Sequence, residues 1–224
     1  MTGLLIDSSS IISLSINCLL RILKRLSDKT SVKFLITDSI KNEIIDRSLK
    51  IERFMLSGLR LSKLLNDGVL NMTDVDYFKS KKLLNIANSI YEVSGKAVKI
   101  IQKGEAQAMT AALQQGSDTI IIDERITSTL IENPYNLREI LESRLHKPVS
   151  VNNKSLIKFK ALIGNLSIIR SSDLLAIAYE KGLLKEIALR GDDFAMLKSA
   201  LWGLKFSGCA LTADELNEYL TLLK

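Results

Sequence analysis

Four acidic residues, each next to apolar residues, carry the chemistry this sequence offers: Asp7, Glu43, Glu105 and Asp123, with Glu124 beside the last. Asp7 closes the run Leu4-Leu5-Ile6, and Asp123 closes Ile120-Ile121-Ile122. Open α/β sheets gather their ligand sites at the carboxyl ends of strands. Two buried strands that each end in a carboxylate would therefore bring both acids to one edge. Carboxylates without histidine or thiol partners make a hard-oxygen site suited to Mg²⁺ or Mn²⁺. Such a cluster repels itself unless a cation neutralises it. One or two divalent ions orient a water, lower its pKa and stabilise the charge that grows in a phosphodiester displacement. Each acid also has a plainer reading: Asp7 and Asp123 as helix N-caps, Glu105 beside a helix dipole, Glu43 as a solvated side chain.

Composition narrows the classes. A chain of 224 residues, 46% hydrophobic and with 2 prolines, suits one domain or one domain with a small appendage. Its 31 basic and 25 acidic residues leave +6 and a pI near 9.2, compatible with a polyanionic partner but shared by many inert proteins. Cys18 and Cys209 each lie amid apolar neighbours and read as buried reduced thiols, which fits a cytoplasmic protein. The single histidine, His146, supports neither a zinc site nor a Ser-His-Asp triad. The apolar stretch over 8–20 is too short to span a bilayer and lacks a basic leader, so neither a membrane anchor nor a signal peptide is expected.

The positioning elements follow from periodicity and caps. Strands are expected at residues 4–6, 32–36, 119–122, 149–151 and 166–169, with an edge strand at 69–72. An Asp7-capped helix runs to about 26, and a helix capped by Thr37-Asp38-Ser39 carries Glu43 toward 53. Further helices are expected over 56–65, 74–93, 106–115, 137–145, 155–163, 171–179, 194–204 and 214–223, with another between Asp123 and Pro134. Ala106, Ala108, Ala111 and Ala112 let their helix lie close on a sheet, and Gly116 ends it. Strand–cap–helix alternation predicts an α/β domain with a mainly parallel sheet, residues 1–184, and a C-terminal helical extension packed on it, residues 185–224.

The stretches Leu5-Ile6-Asp7-Ser8-Ser9, Ile36-Thr37-Asp38-Ser39-Ile40-Lys41-Asn42-Glu43, Gly104-Glu105-Ala106-Gln107-Ala108 and Ile121-Ile122-Asp123-Glu124-Arg125 resemble the PIN domain. The Gly-Glu-x-x-Ala form, and the later Ile168-Ile169-Arg170-Ser171-Ser172-Asp173 with Gly182-Leu183-Leu184, are similar to the larger prokaryotic members. The resemblance spans roughly residues 3–184. It implies a flavodoxin-like three-layer fold and a Mg²⁺- or Mn²⁺-dependent ribonuclease that leaves 5′-phosphate and 3′-hydroxyl ends. Such proteins are often the toxin of a toxin–antitoxin pair, or RNA-processing factors, and are frequently homodimers. RNA, an antitoxin or other regulatory protein, and a second copy are the implied partners. By motif position Asp7, Glu43, Glu105 and Asp123 are the implied catalytic and metal-ligating acids, with Ser9 supporting Asp7. Two departures stand out. Ile121 occupies a position that toxin-type members often give to a polar residue, and Glu124 is placed to share or take the role of Asp123.

Two other readings compete. The same fold serves as a binding module if its acids are vestigial and its helical tail, with Trp202 and Phe206, recruits RNA or protein. An aspartate-nucleophile phosphatase needs a second Asp where Ser9 stands, and no phosphate-binding glycine loop is present.

Overall fold

After Gly3, leucine and β-branched residues make up β1 (Gly3–Ile6), and β-branched residues make up β6 (Thr119–Ile121); Leu5, Ile6, Ile120 and Ile121 show nothing to solvent. Strands buried on both faces belong to a parallel sheet covered by helices. In the computed structural model, which describes residues 3–185, 187 and 191–224, β2 (Lys33–Ile36), β3 (Leu70–Met72) and β8 (Ser167–Ile169) complete that sheet. Its five strands are all parallel, in the order β3-β2-β1-β6-β8. Helices flank it in a three-layer, flavodoxin-like α/β fold. From β1 the chain steps outward to β3, then returns to build β6 and β8 on the other side. The gap between β1 and β6 is thus the topological switch point, where such sheets bind ligands. The Asp7 N–H donates to the Ile121 carbonyl at 2.9 Å, which holds the two strand ends side by side.

Several expected elements are divided differently. The helix expected over 8–26 is two, α1 (Ser8–Ile16) and α2 (Arg21–Thr30). Cys18 takes a left-handed conformation (φ 59°), and Cys18 and Leu19 N–H groups bond back to Ser15 and Leu14 carbonyls. This double bond closes a helix end, and a serine- and isoleucine-rich helix has little propensity to resist it. It leaves Cys18 exposed, contrary to the expected buried thiol, while Cys209 is buried as expected. The helix after β2 is α3 (Asp38–Lys41), a π-helical turn (Asn42–Asp46) and a 3-10 turn (Ser48–Lys50). Extended Ile51 then separates these from α4 (Glu52–Asn66).

The helix expected over 74–93 is α5 (Tyr77–Ala87), and its last residues are instead a strand, β4 (Tyr91–Val93). The Asn88 side chain bonds the Ile100 and Ile101 N–H groups and the Ile101 carbonyl, turning the chain out of the helix. Ser94 and Gly95, both at positive φ, form a two-residue hairpin to β5 (Lys96–Ala97). β7 (Ser150–Val151) joins β4 in this separate antiparallel sheet rather than the central one.

The remaining helices are α6 (Lys103–Gln114), α7 (Arg125–Glu132), α8 (Pro134–Leu145), α9 (Asn153–Ile163), α10 (Ser171–Glu180), α11 (Asp193–Phe206) and α12 (Ala213–Leu222). His146 ends α8 in a left-handed turn. Of the extension expected over 185–224, residues 186 and 188–190 lie outside the described residues, as do 1 and 2 at the start of the first domain. α11 buries Leu197, Leu201 and Leu204, α12 buries Leu216, and the Tyr219 hydroxyl bonds Asp173 on α10. Trp202 stacks on Phe206, which is 79% exposed. Among the described residues no helix is long and apolar enough to cross a membrane.

Candidate active site

Asp7 leaves β1 in extended conformation and caps α1, its carboxylate accepting the Ser9 N–H at 3.1 Å and the Ser9 hydroxyl at 2.7 Å. The residue is 4% exposed. Burial pushes its carboxyl above the usual range, the bonds from Ser9 and Ser8 pull it back, and the charge of Glu43 pushes it up again. Glu43 itself is exposed on the π-helical turn. The wider turn lets the consecutive Ile44 and Ile45 both enter the core while Glu43 stays at the surface. π turns of this kind recur at functional sites.

Glu105 reaches the same region because Ala106, Ala108, Ala111 and Ala112 are buried and bring α6 down onto the sheet. Its carboxylate accepts the Gln102 N–H at 2.6 Å, a capping-box contact. Burial raises the Glu105 carboxyl, the Gln102 bond opposes this, and the charges of Asp7 and Glu124 add to the rise. Glu124 caps α7, its two oxygens accepting the Ile126 and Thr127 N–H groups at 2.8 and 2.6 Å. Glu105 and Glu124 both line a cavity of about 400 Å³, together with Lys99 and Arg144.

Asp123, joined to Asp7 through Ser9, is the fully buried acid of the group. It shows no surface to solvent, and its carboxylate accepts the Ser10 hydroxyl (3.0 Å), the Ser171 N–H (2.7 Å) and the Ser171 hydroxyl (2.6 Å). Its backbone is held from both ends of the chain: the N–H donates to Ser9 Oγ at 3.1 Å, and the carbonyl accepts the Ala210 N–H at 3.0 Å. The charge of Glu43 acts on Asp7, and those of Asp7 and Glu124 act on Glu105; Asp123 is a buried node between α1, α10 and the loop after α11. Ser9 bridges Asp7 and Asp123, donating to the first and accepting from the second.

Among the described residues no group of three or more His, Cys, Asp or Glu side chains is gathered tightly enough to hold a metal ion by itself. The donors nonetheless suit Mg²⁺, which keeps several waters and takes only one or two carboxylates, completing its shell with substrate phosphate. Partly desolvated carboxylates such as Asp7 and Glu105, each pushed up by a neighbouring acid, are the kind of set that such an ion relieves.

Ser10, Ser171, Lys99 and Arg144 were not among the residues expected here. Ser171 begins the Ser-Ser-Asp run read as a helix cap, and nothing in its spacing announces a tie to a carboxylate 48 positions earlier. Lys99 and Arg144 come together only through the hairpin and α8, neither of which is local to the acids. In comparisons with known proteins, no family model, curated protein or solved structure matches this chain.

Proposed function

We propose that this chain is a divalent-metal-dependent endoribonuclease, using Asp7, Glu43 and Glu105 with Glu124 as the fourth acid. The observation that carries the reading is Asp7 at the switch point with Glu105 and Glu124 on the wall of a cavity that also presents Lys99 and Arg144. When bound there, Mg²⁺ or Mn²⁺ would supply Lewis acidity and a more acidic water. Asp7 is the candidate primary ligand, fixed in rotamer by both Ser9 contacts. Glu105 and Glu124, each pinned by backbone N–H groups, orient water through their free lone pairs. Lys99 and Arg144 bind flanking phosphates. Asp123 acts as a positioning residue, locking the strand end that carries Glu124.

Asp7→Asn keeps the α1 cap and removes the charge. It is expected to abolish Mg²⁺- or Mn²⁺-dependent cleavage of single-stranded and structured RNA, with circular dichroism unchanged. Cleavage at the wild-type rate would rule the mechanism out. The stacked Trp202–Phe206 pair, open to solvent at Phe206, favours a second reading as a binding module. Calorimetry with Mn²⁺ separates the two: RNA binding without any Mn²⁺ binding supports the module.

A further inference from the structure

Gln107 is 2% exposed, and its side-chain amide makes no hydrogen bond with the described residues. The amide atoms are therefore accessible from the cavity they line, and present a free donor beside a free acceptor to whatever enters it. This second cavity, of about 370 Å³, lies between the α3 region and the starts of α5 and α6. That size falls within the range of small-molecule sites. Tyr77 forms another wall: it is 55% exposed, and the Lys103 ammonium stands 5.9 Å from its ring centroid.

The charges around the cavity balance. Lys41 and Lys103 face Asp38 and Asp46, and Lys41 is already paired with Asp46 at 2.9 Å. A neutral, planar, hydrogen-bonding ligand suits such a cavity better than an anion. An aromatic face for stacking and an amide offering a donor beside an acceptor are the two elements that read a base. Gln pairs in bidentate fashion with adenine, whose N6 amino group and N7 present the complementary pattern.

We propose that this cavity is a base-recognition pocket that takes an unpaired adenine of the RNA strand, stacked on Tyr77 and read by Gln107. The proposal rests on the ribonuclease reading. Gln107 follows Glu105 by two residues on α6, and the helical turn points the two side chains to different sides of it. A strand would therefore leave its base on the Tyr77 side while its backbone crosses the acids.

The test is calorimetry of the full chain with short oligoadenylate and oligouridylate, divalent ions chelated, alongside cleavage of A-rich and U-rich single strands with Mn²⁺ present. Wild type is expected to bind oligoadenylate about tenfold more tightly. Gln107→Met, which keeps the volume and removes both polar atoms, should erase that preference with circular dichroism unchanged. Tyr77→Ser, at an exposed position, should weaken both oligonucleotides about tenfold. Equal binding of the two by wild type, an unaltered preference in Gln107→Met, or no oligonucleotide binding would overturn the pocket. Adenine preference lost in Gln107→Met but no cleavage by wild type would uphold the pocket and remove the nuclease reading. Cleavage indifferent to adenine would do the reverse.

Discussion

Burial and neighbouring charge work against the ionised form of Asp7, while Ser9 supports it. A carboxyl whose native pKa is raised keeps its proton longer in the folded chain than in the unfolded one. Native protein then binds more protons between the ordinary value of 3.8 and the raised one, so stability falls as pH rises through that window. Asp7→Asn removes this cost and is expected to stabilise the chain at pH 7 by about 1 kcal/mol, a rise of about 2–4 °C in Tm. The gain should shrink on acidification to pH 4, as thermal melts across pH will report. Asp123 contributes through its hydrogen bonds. Its carboxylate satisfies three donors, and Asp123→Asn turns an amide toward at least one of them, at a cost of about 3 kcal/mol in urea unfolding. Glu124→Gln, which can accept only one of the two N–H groups it caps, should cost about 1 kcal/mol while lowering cleavage at least tenfold. Equal loss of stability in both variants would reject this division of roles. Sequence marked both acids as candidates, because both follow a buried strand. It could not rank them, because what separates them is Ser171, brought in by a later strand and helix.

The π-helical turn over Asn42–Asp46 is the element on which the position of Glu43 depends. Deleting Asn42 would restore ordinary helical spacing and swing Glu43 by about 100° around the axis. Cleavage should fall at least tenfold with helix content by circular dichroism preserved; undiminished cleavage would show that Glu43 is dispensable. Periodicity revealed that a helix follows β2, since Thr37 caps it and Ile40, Ile44 and Ile45 are apolar. It does not distinguish π from α spacing over five residues. The same limit explains the helix over-extended to 93: Ile90 and Tyr91 are buried in either geometry, and the decision is made by Asn88 reaching across to 100 and 101. Ser94-Gly95 was the available hairpin signal. The mainly parallel sheet, by contrast, was legible because uninterrupted aliphatic runs such as Ile120-Ile121-Ile122 leave few alternatives.

Taken as one body, the chain carries +6, and under the proposed ribonuclease reading the basic residues that would meet RNA are those around the acids. Lys99 and Arg144 line the cavity that Glu105 and Glu124 share. If each meets one phosphate, Lys99→Ala and Arg144→Ala should each reduce the slope of log affinity against log salt by about 0.7 for a single strand. Fluorescence titrations of labelled RNA over a range of ionic strengths will read this; an unchanged slope in both variants would move the RNA path elsewhere. Arg170 holds the C-terminal helices to the domain through Glu132 and Glu215 at 3.1 and 3.6 Å, and Tyr219 adds its bond to Asp173.

The bond from the Ala210 N–H to the Asp123 carbonyl has a consequence in time. Chains emerge from the ribosome amino end first and begin to fold in that order. Asp7, Glu43 and Glu105 are therefore assembled well before the loop after α11 arrives to fasten the end of β6. A nuclease whose β6 end is fastened by residue 210 would mature only after that residue has emerged, later than all of its proposed catalytic acids. Ribosome-held chains ending after Phe206 should be less active than the released 224-residue chain, and equal activity would show that the bond from Ala210 is not needed.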